Sequence, residues 1–288
     1  IAMEIVAAVH EHPDNPGLLA EEDLAGYAVQ IREPVCFPFR AYEICGMGPP
    51  SSGALAVGQI LGLMEHFDLA GLDPAGADMA HLFAEASKLA FADRALYVAD
   101  ADHVSVPVVG MLDRSYLTAR AQLIDRDRAG EDVAPGNPPW RDARMQAPDP
   151  GMTSRGTTHL SIVDAAGNVV SMTSTIESGF GARIMAAGFL LNNQLTDFSF
   201  RPAVDGRPVA NRVAPGKRPR SSMAPTIVFD ERGAPVYVTG SPGGARIIHY
   251  VARNVIAHLA QGLSPQEAVE LPHIGGFGAM LDLERETA

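Results

Sequence analysis

A threonine pair, Thr157 and Thr158, opens a β-like run directly after a stretch rich in proline, glycine and charge. A threonine at such a junction can become an N-terminal nucleophile. If the peptide bond between Gly156 and Thr157 is cut, one residue holds both the attacking Oγ1 and a base, its new α-amine. An α-amine titrates at about 7.7–8.0, close to working pH, whereas a lysine stays mostly charged. Thr175 ends the returning strand, where a hairpin can place it beside Thr157. Further along, GSPGGAR carries Gly243 and Gly244 into a helix start. Unpaired N–H groups there carry partial positive charge and suit an oxyanion, and glycine allows close approach. Read alone, this turn could equally cradle a phosphate. It lacks both the Gly-Lys-Ser/Thr ending of a phosphate loop and a GxGxxG spacing.

These groups need elements to hold them. Apolar residues recur at helical spacing over 51–69, after a Pro-Pro-Ser-Ser-Gly breaker that offers Ser51 or Ser52 as N-cap. A second helix is predicted over 79–100, with Leu82, Phe83, Ala86, Leu89, Ala90 and Leu96 on one face, and a third over 115–124. A short β-like piece covers 41–47. The stretch 125–156 carries five prolines and mixed charge and reads as a mobile surface linker. From Thr157 the pattern becomes two-residue alternation. Thr157, His159, Ser161 and Val163 share one face, and Thr158, Leu160, Ile162 and Asp164 the other. A turn at 165–168 leads into a return strand over 169–175. A second hairpin is predicted from 226–229 and 236–240, then an amphipathic helix over 245–262. Ser264, with Pro265 at N1 and Glu267, forms a capping box for one more helix. Helices, then hairpins, then helices point to an α+β body of antiparallel sheet covered by helix.

Composition narrows the partners. The 288 residues are 47% hydrophobic, enough for a sizeable core, and carry a formal net charge of −12. That balance argues against nucleic acid and against an anionic membrane surface. No run of 18 apolar residues exists to span a bilayer. The chain starts at Ile1 and ends in LDLERETA, which reads as a piece of a longer protein. Cys36 and Cys45, nine apart, fit either a disulfide or two reduced thiols. The nine histidines have no metal-ligand spacing, and neither a metal nor a cofactor is expected.

Six words of the sequence carry a resemblance: GPPSSG (48–53), TTHLSIVD (157–164), DAAGNVVSMTST (164–175), GFLLNNQLTDFS (188–199), KRPRSSMAPTIV (217–228) and TGSPGGARII (239–248). Their order and spacing resemble those of the gamma-glutamyltranspeptidases and the related cephalosporin (glutaryl) acylases, members of the N-terminal nucleophile hydrolases. The likeness spans almost the whole chain. It implies an αββα sandwich made from a precursor that cuts itself before the catalytic threonine. On that likeness, 1–156 is the C-terminal part of a large subunit, 157–288 is most of a small subunit, and the two form one body. The implied chemistry is hydrolysis or transfer of the γ-glutamyl group of glutathione-like amides to water or an amino acid. Thr157 is the implied nucleophile, Thr175 its orienting partner, and Gly243 and Gly244 the oxyanion hole. Ser221 and Ser222 match the residues that bind the α-carboxylate; Gln194 and Asp197 match those that hold the α-ammonium. Glu177 departs from the family, which has asparagine there. The family's carboxylate-clamping arginine lies upstream of this sequence and is assigned to no residue here. Family members are often periplasmic or secreted.

Two alternatives stand beside this reading. One is an acylase with the same chemistry and a preference for glutaryl groups. The other is a non-catalytic precursor or fragment that only binds ligand. His159 reads as a structural hydrogen-bonding residue, Trp140 as local packing, and Lys217, Arg218 and Arg220 as loop surface.

Overall fold

The computed structural model describes residues 1–131, 133–140, 146–149, 156–278 and 280–284. A four-stranded antiparallel sheet is built from β1 (Val35–Phe39), β2 (Tyr42–Gly46), β5 (Thr226–Phe229) and β6 (Pro235–Thr239), in the order β1-β2-β5-β6. β2 precedes the junction of Gly156 and Thr157 and β5 follows it, so the central pairing joins the two parts of the chain. Cys36 faces Cys45 across β1 and β2, and the two form a disulfide.

Helix α1 (Gly53–Met64) lies against this sheet and is buried on nearly all sides. It packs on α2 (Ala77–Tyr97), α3 (Arg114–Ala121) and α4 (Ile247–Leu259). Phe39, Ile44, Leu61, Phe83, Val228, Val251 and Val255 belong to one apolar core between these helices and the sheet. All three predicted N-terminal helices form, with shorter or shifted ends. Ser52 is the N-cap of α1 by position, yet its hydroxyl does not cap; it donates to the Ser221 carbonyl at 2.7 Å. The capping box is present: Ser264 Oγ accepts from Glu267 N and Glu267 Oε2 accepts from Ser264 N, starting α5 (Pro265–Glu270). A hairpin of β7 (Ile274–Phe277) and β8 (Met280–Leu283), which the sequence pattern did not suggest, follows it.

β3 (Thr157–Val163) and β4 (Val169–Thr175) form the hairpin the alternation predicts, with Thr157 opposite Thr175 and Val163 opposite Val169. Ser171 fastens it to the larger sheet: its Oγ donates to the Thr239 carbonyl and accepts from Thr226 N. The outer face is different. Leu160, Ile162, Val170 and Met172 are all exposed there.

Of the stretch read as a linker, residues 132, 141–145 and 150–155 lie outside the described residues. The rest is bonded to the body. Gly136 N donates to Asp93 Oδ1 at 2.7 Å, its carbonyl accepts from Tyr97, and Trp140 packs edge-on against Tyr97. Asp149 pairs with Arg220 at 2.9 Å, and both are buried.

Candidate active site

Register alone brings the two threonines together. Their side chains lie on one face at the last rung of β3 and β4, with the Oγ1 atoms 3.1 Å apart. Donor counting fixes the proton directions. Glu177 N can only donate to Thr175 Oγ1 (2.8 Å), and the Gly156 carbonyl can only accept from it (3.1 Å). A hydroxyl has one proton, so Thr175 spends its proton on Gly156, and the proton between the threonines belongs to Thr157. Thr157 Oγ1 is thus held as a donor with its lone pairs available. The Gly156 carbonyl, the one a cut before Thr157 would attack, is polarised by Thr175. A side chain at 156 would put its first carbon 2.2 Å from the Glu177 carbonyl oxygen, so the close fit requires glycine.

Beyond Thr175 the chain turns through Glu177, which has a φ of 74° and is 6% exposed. Its Oε2 accepts from Ser178 Oγ (2.6 Å) and Asn193 Nδ2 (2.7 Å). Gln194 and Asp197 bound the short turn Gln194–Asp197. Gln194 Nε2 donates to the Thr175 carbonyl at 2.8 Å, which supports the dyad from behind. Burial and the Glu177 carboxylate push Asp197 up to about 7, while Arg94 and Arg220 pull it down. Asp197 Oδ1 is buried and has no hydrogen-bond partner among the described residues.

The opposite wall is made by two sequence words that lie far apart in the chain. Ser221 N donates to the Pro50 carbonyl and Ser52 N to the Ser221 carbonyl, so GPPSSG and KRPRSS run side by side. Ser221 Oγ accepts from Met223 N at 3.1 Å, and Ser222 Oγ accepts from Arg94 Nη2 at 2.7 Å. Gly243 (φ 139°) and Gly244 (φ 60°) turn the chain from β6 into α4. The predicted helix therefore begins with a short 3-10 turn, Gly244–Arg246, before α4 proper.

Thr157, Thr175, Glu177, Asp197, Ser221, Ser222, Met223, Gly244 and Ile247 line one pocket. Every candidate site residue is among them except Gln194, which bonds the Thr175 carbonyl, and Gly243, which precedes Gly244 in the chain. With the chain continuous through Gly156 and Thr157, the pocket measures about 20 Å³, room for roughly one water. Among the described residues, no cluster of His, Cys, Asp or Glu could hold a metal, and no helix is long and apolar enough to cross a membrane.

Three neighbours differ from the sequence reading or were missed by it. Lys217 and Arg220 are not loop surface. Lys217 Nζ caps the Ala210 and Arg212 carbonyls, and burial lowers it to about 8; Arg220 is 3% exposed and paired with Asp149. Lys217 satisfies carbonyls of its own loop, whereas Arg220 reaches the Arg94 and Val98 carbonyls at the end of α2. Arg94 escapes the apolar spacing that defines its helix. Four charged residues of α2, Glu85, Lys88, Asp93 and Arg94, are buried, and such charges in an otherwise apolar helix were the available signal. His159 behaves as read: Nδ1 bonds Thr173 Oγ1 at 2.9 Å, and burial lowers its pKa.

The sequence profile of the gamma-glutamyltranspeptidases matches residues 1–286. The chain is 40% identical over 269 residues to a glutathione hydrolase proenzyme of Bacillus subtilis (strain 168), and 40% over 271 residues to that of Escherichia coli (strain K12). Each match covers 91% of this chain and 45% of the relative. An acylase ACY 1 proenzyme of Pseudomonas sp. (strain SE83) is 38% identical over 272 residues, covering 94% of this chain and 45% of the relative. The chain thus spans less than half the length of these relatives. The fold matches a cephalosporin acylase from Bacillus halodurans with a TM-score of 0.77 and 26% identity, covering 95% of this chain and 45% of that one. The chain belongs to the gamma-glutamyltranspeptidase family.

Proposed function

We propose that the protein is a γ-glutamyl hydrolase and transferase whose nucleophile, Thr157, is released by self-cleavage after Gly156. The observation that carries this reading is the hydrogen-bonded pair of Thr157 and Thr175 beside the Gly156 carbonyl, on the floor of a pocket with carboxylates on one wall and serines on the other. In maturation, Thr157 Oγ1 attacks the Gly156 carbonyl carbon, the Oγ1 proton passes to the Thr157 nitrogen, and the C–N bond breaks to leave an ester. Water then opens the resulting ester, leaving a Gly156 carboxylate and a free Thr157 α-amine. In turnover, that amine takes the Oγ1 proton while Oγ1 attacks the γ-carbonyl of the donor. The oxyanion is met by backbone N–H groups at Gly243 and Gly244. The Thr157 α-ammonium passes its proton to the leaving amine, and water or an acceptor amine releases the acyl group. Ser221 and Ser222 take the donor α-carboxylate; Asp197, with Glu177 and Gln194, takes the α-ammonium. The parts before and after the cut remain one body through the pairing of β2 with β5.

One observation favours a second reading, a glutaryl acylase. Burial and Glu177 hold the Asp197 carboxyl above the usual carboxylate range, which favours its neutral form and does not demand a cation. The experiment is a parallel assay of γ-glutamyl and glutaryl anilides on the purified full-length protein, with an intact-mass spectrum. Two pieces meeting at Thr157 and preference for γ-glutamyl donors are expected. Preference for glutaryl donors moves the assignment to the acylase. A single uncut, inactive chain refutes both and leaves a binding protein.

A further inference from the structure

We propose that Arg94 is a positioning residue: it fixes the serine wall so that the hydroxyls of Ser221 and Ser222 donate into the pocket, toward a substrate carboxylate. Arg94 lies near the end of α2, is 5% exposed, and reaches across the core to two loops at once. Its Nε donates to Ser52 Oγ and its Nη2 to Ser222 Oγ, both at 2.7 Å. A guanidinium has donors only, so both oxygens must accept. Ser52 then sends its own proton to the Ser221 carbonyl, also at 2.7 Å. Ser222 has no such outlet among the described residues, and its side chain lines the pocket. Ser221 is set in the same sense, because its Oγ accepts from Met223 N. Both pocket hydroxyls are therefore held with an acceptor role filled and the proton free. That arrangement suits an anion and rejects a donor group.

Charge acts in the same direction. Arg220, next to Arg94, has Asp149 at 2.9 Å. Among the described residues, the side-chain partners of Arg94 at hydrogen-bond distance are hydroxyls, with Asp149 and Asp197 acting on it from farther away. A carboxylate on Ser222 would sit one hydroxyl away from this buried cation. A hydroxyl polarised by a cation is a stronger donor than a free one. The ligand class is thus a carboxylate on the acyl donor. The inference rests on the γ-glutamyl reading, or equally on the glutaryl one, since both donors carry that group.

The test uses the full-length protein, with Arg94→Met and Arg94→Lys, and three anilide donors. The γ-glutamyl donor has carboxylate and amine, the glutaryl donor only the carboxylate, and the 4-aminobutyryl donor only the amine. Arg94→Met is expected to lower kcat/KM for both carboxylate donors by roughly ten- to a hundredfold, mostly through KM. Its effect on the 4-aminobutyryl donor should stay within about twofold. Arg94→Lys keeps the charge but cannot serve Ser52 and Ser222 with one planar fork, so an intermediate and equally selective loss is expected. If Arg94→Met does not fold, Arg94→Lys decides alone. Equal losses on all three donors would mean that Arg94 serves only the fold, and would overturn the proposal. A wild-type enzyme with no preference for carboxylate donors would overturn the acyl-group reading itself. That result is read on the wild type and is distinct from a failure of Arg94.

Discussion

Replacing Asp197 with asparagine keeps the side-chain shape and removes its charge. Burial and Glu177 raise this carboxyl from the ordinary 3.8 to about 7. Between roughly pH 4 and 7 the folded chain therefore holds a proton that the unfolded chain has released. The stability this gives is fully present below about pH 4 and is lost as pH rises through about 7. Complete desolvation would make the difference about 4 kcal/mol, and partial exposure discounts it to roughly 2 kcal/mol. Urea denaturation should thus find Asp197→Asn equal to wild type near pH 4 and about 2 kcal/mol more stable at pH 8. Activity should move the other way. Binding an α-ammonium needs the ionised carboxylate, so the variant should lose about 2–4 kcal/mol, roughly 30- to 1000-fold, in kcat/KM for γ-glutamyl anilide at pH 8. On the proposed reading, the α-amine of a released Thr157 titrates in the same region and shapes both profiles. The stability difference between the two proteins isolates Asp197. A difference that does not change between pH 4 and 8 would refute the reasoning, as would an equal loss on glutaryl anilide.

Thr157→Ala in the full-length precursor should leave one uncut chain on a denaturing gel; cleavage after Gly156 in that variant would remove Thr157 from processing. Thr175→Ala should lower kcat about a hundredfold with a smaller change in KM, because its hydrogen bond acts on the reacting oxygen. Steady-state kinetics on processed enzyme checks this, and an unchanged kcat would exclude Thr175. Gly53→Ala tests the joint behind the serines. Its new carbon would lie 2.3 Å from the Met223 carbonyl oxygen, so a stability loss of about 1–3 kcal/mol is expected on thermal melting.

The hairpin carrying Thr157 was legible because alternation and a turn at 165–168 leave only one register that pairs Thr157 with Thr175. The capping box at Ser264 was legible for a similar reason: its signals lie within three residues of one another. What escaped was non-local. Arg94 meets Ser222 across 128 positions, and no spacing rule links them. The disulfide could not be decided until β1 and β2 set Cys36 opposite Cys45. The cations before Ser221 looked like solvent-facing charge because local composition says nothing about carbonyls buried under a loop.

The uncovered outer face of β3 and β4 has a consequence for how sharply Thr157 can be aimed. Two strands alone are marginal in water. Here the inner face is stitched to the neighbouring sheet through Ser171 and braced by His159, whose ring lies where a side chain on Gly240 would sit. Leu160, Ile162, Val170 and Met172 on the other face pair only across the hairpin and are 41–52% exposed. Covering those four side chains would restrain the strand that carries Thr157. Order at Thr157 is then tied to a face of the hairpin that Thr157 itself does not share.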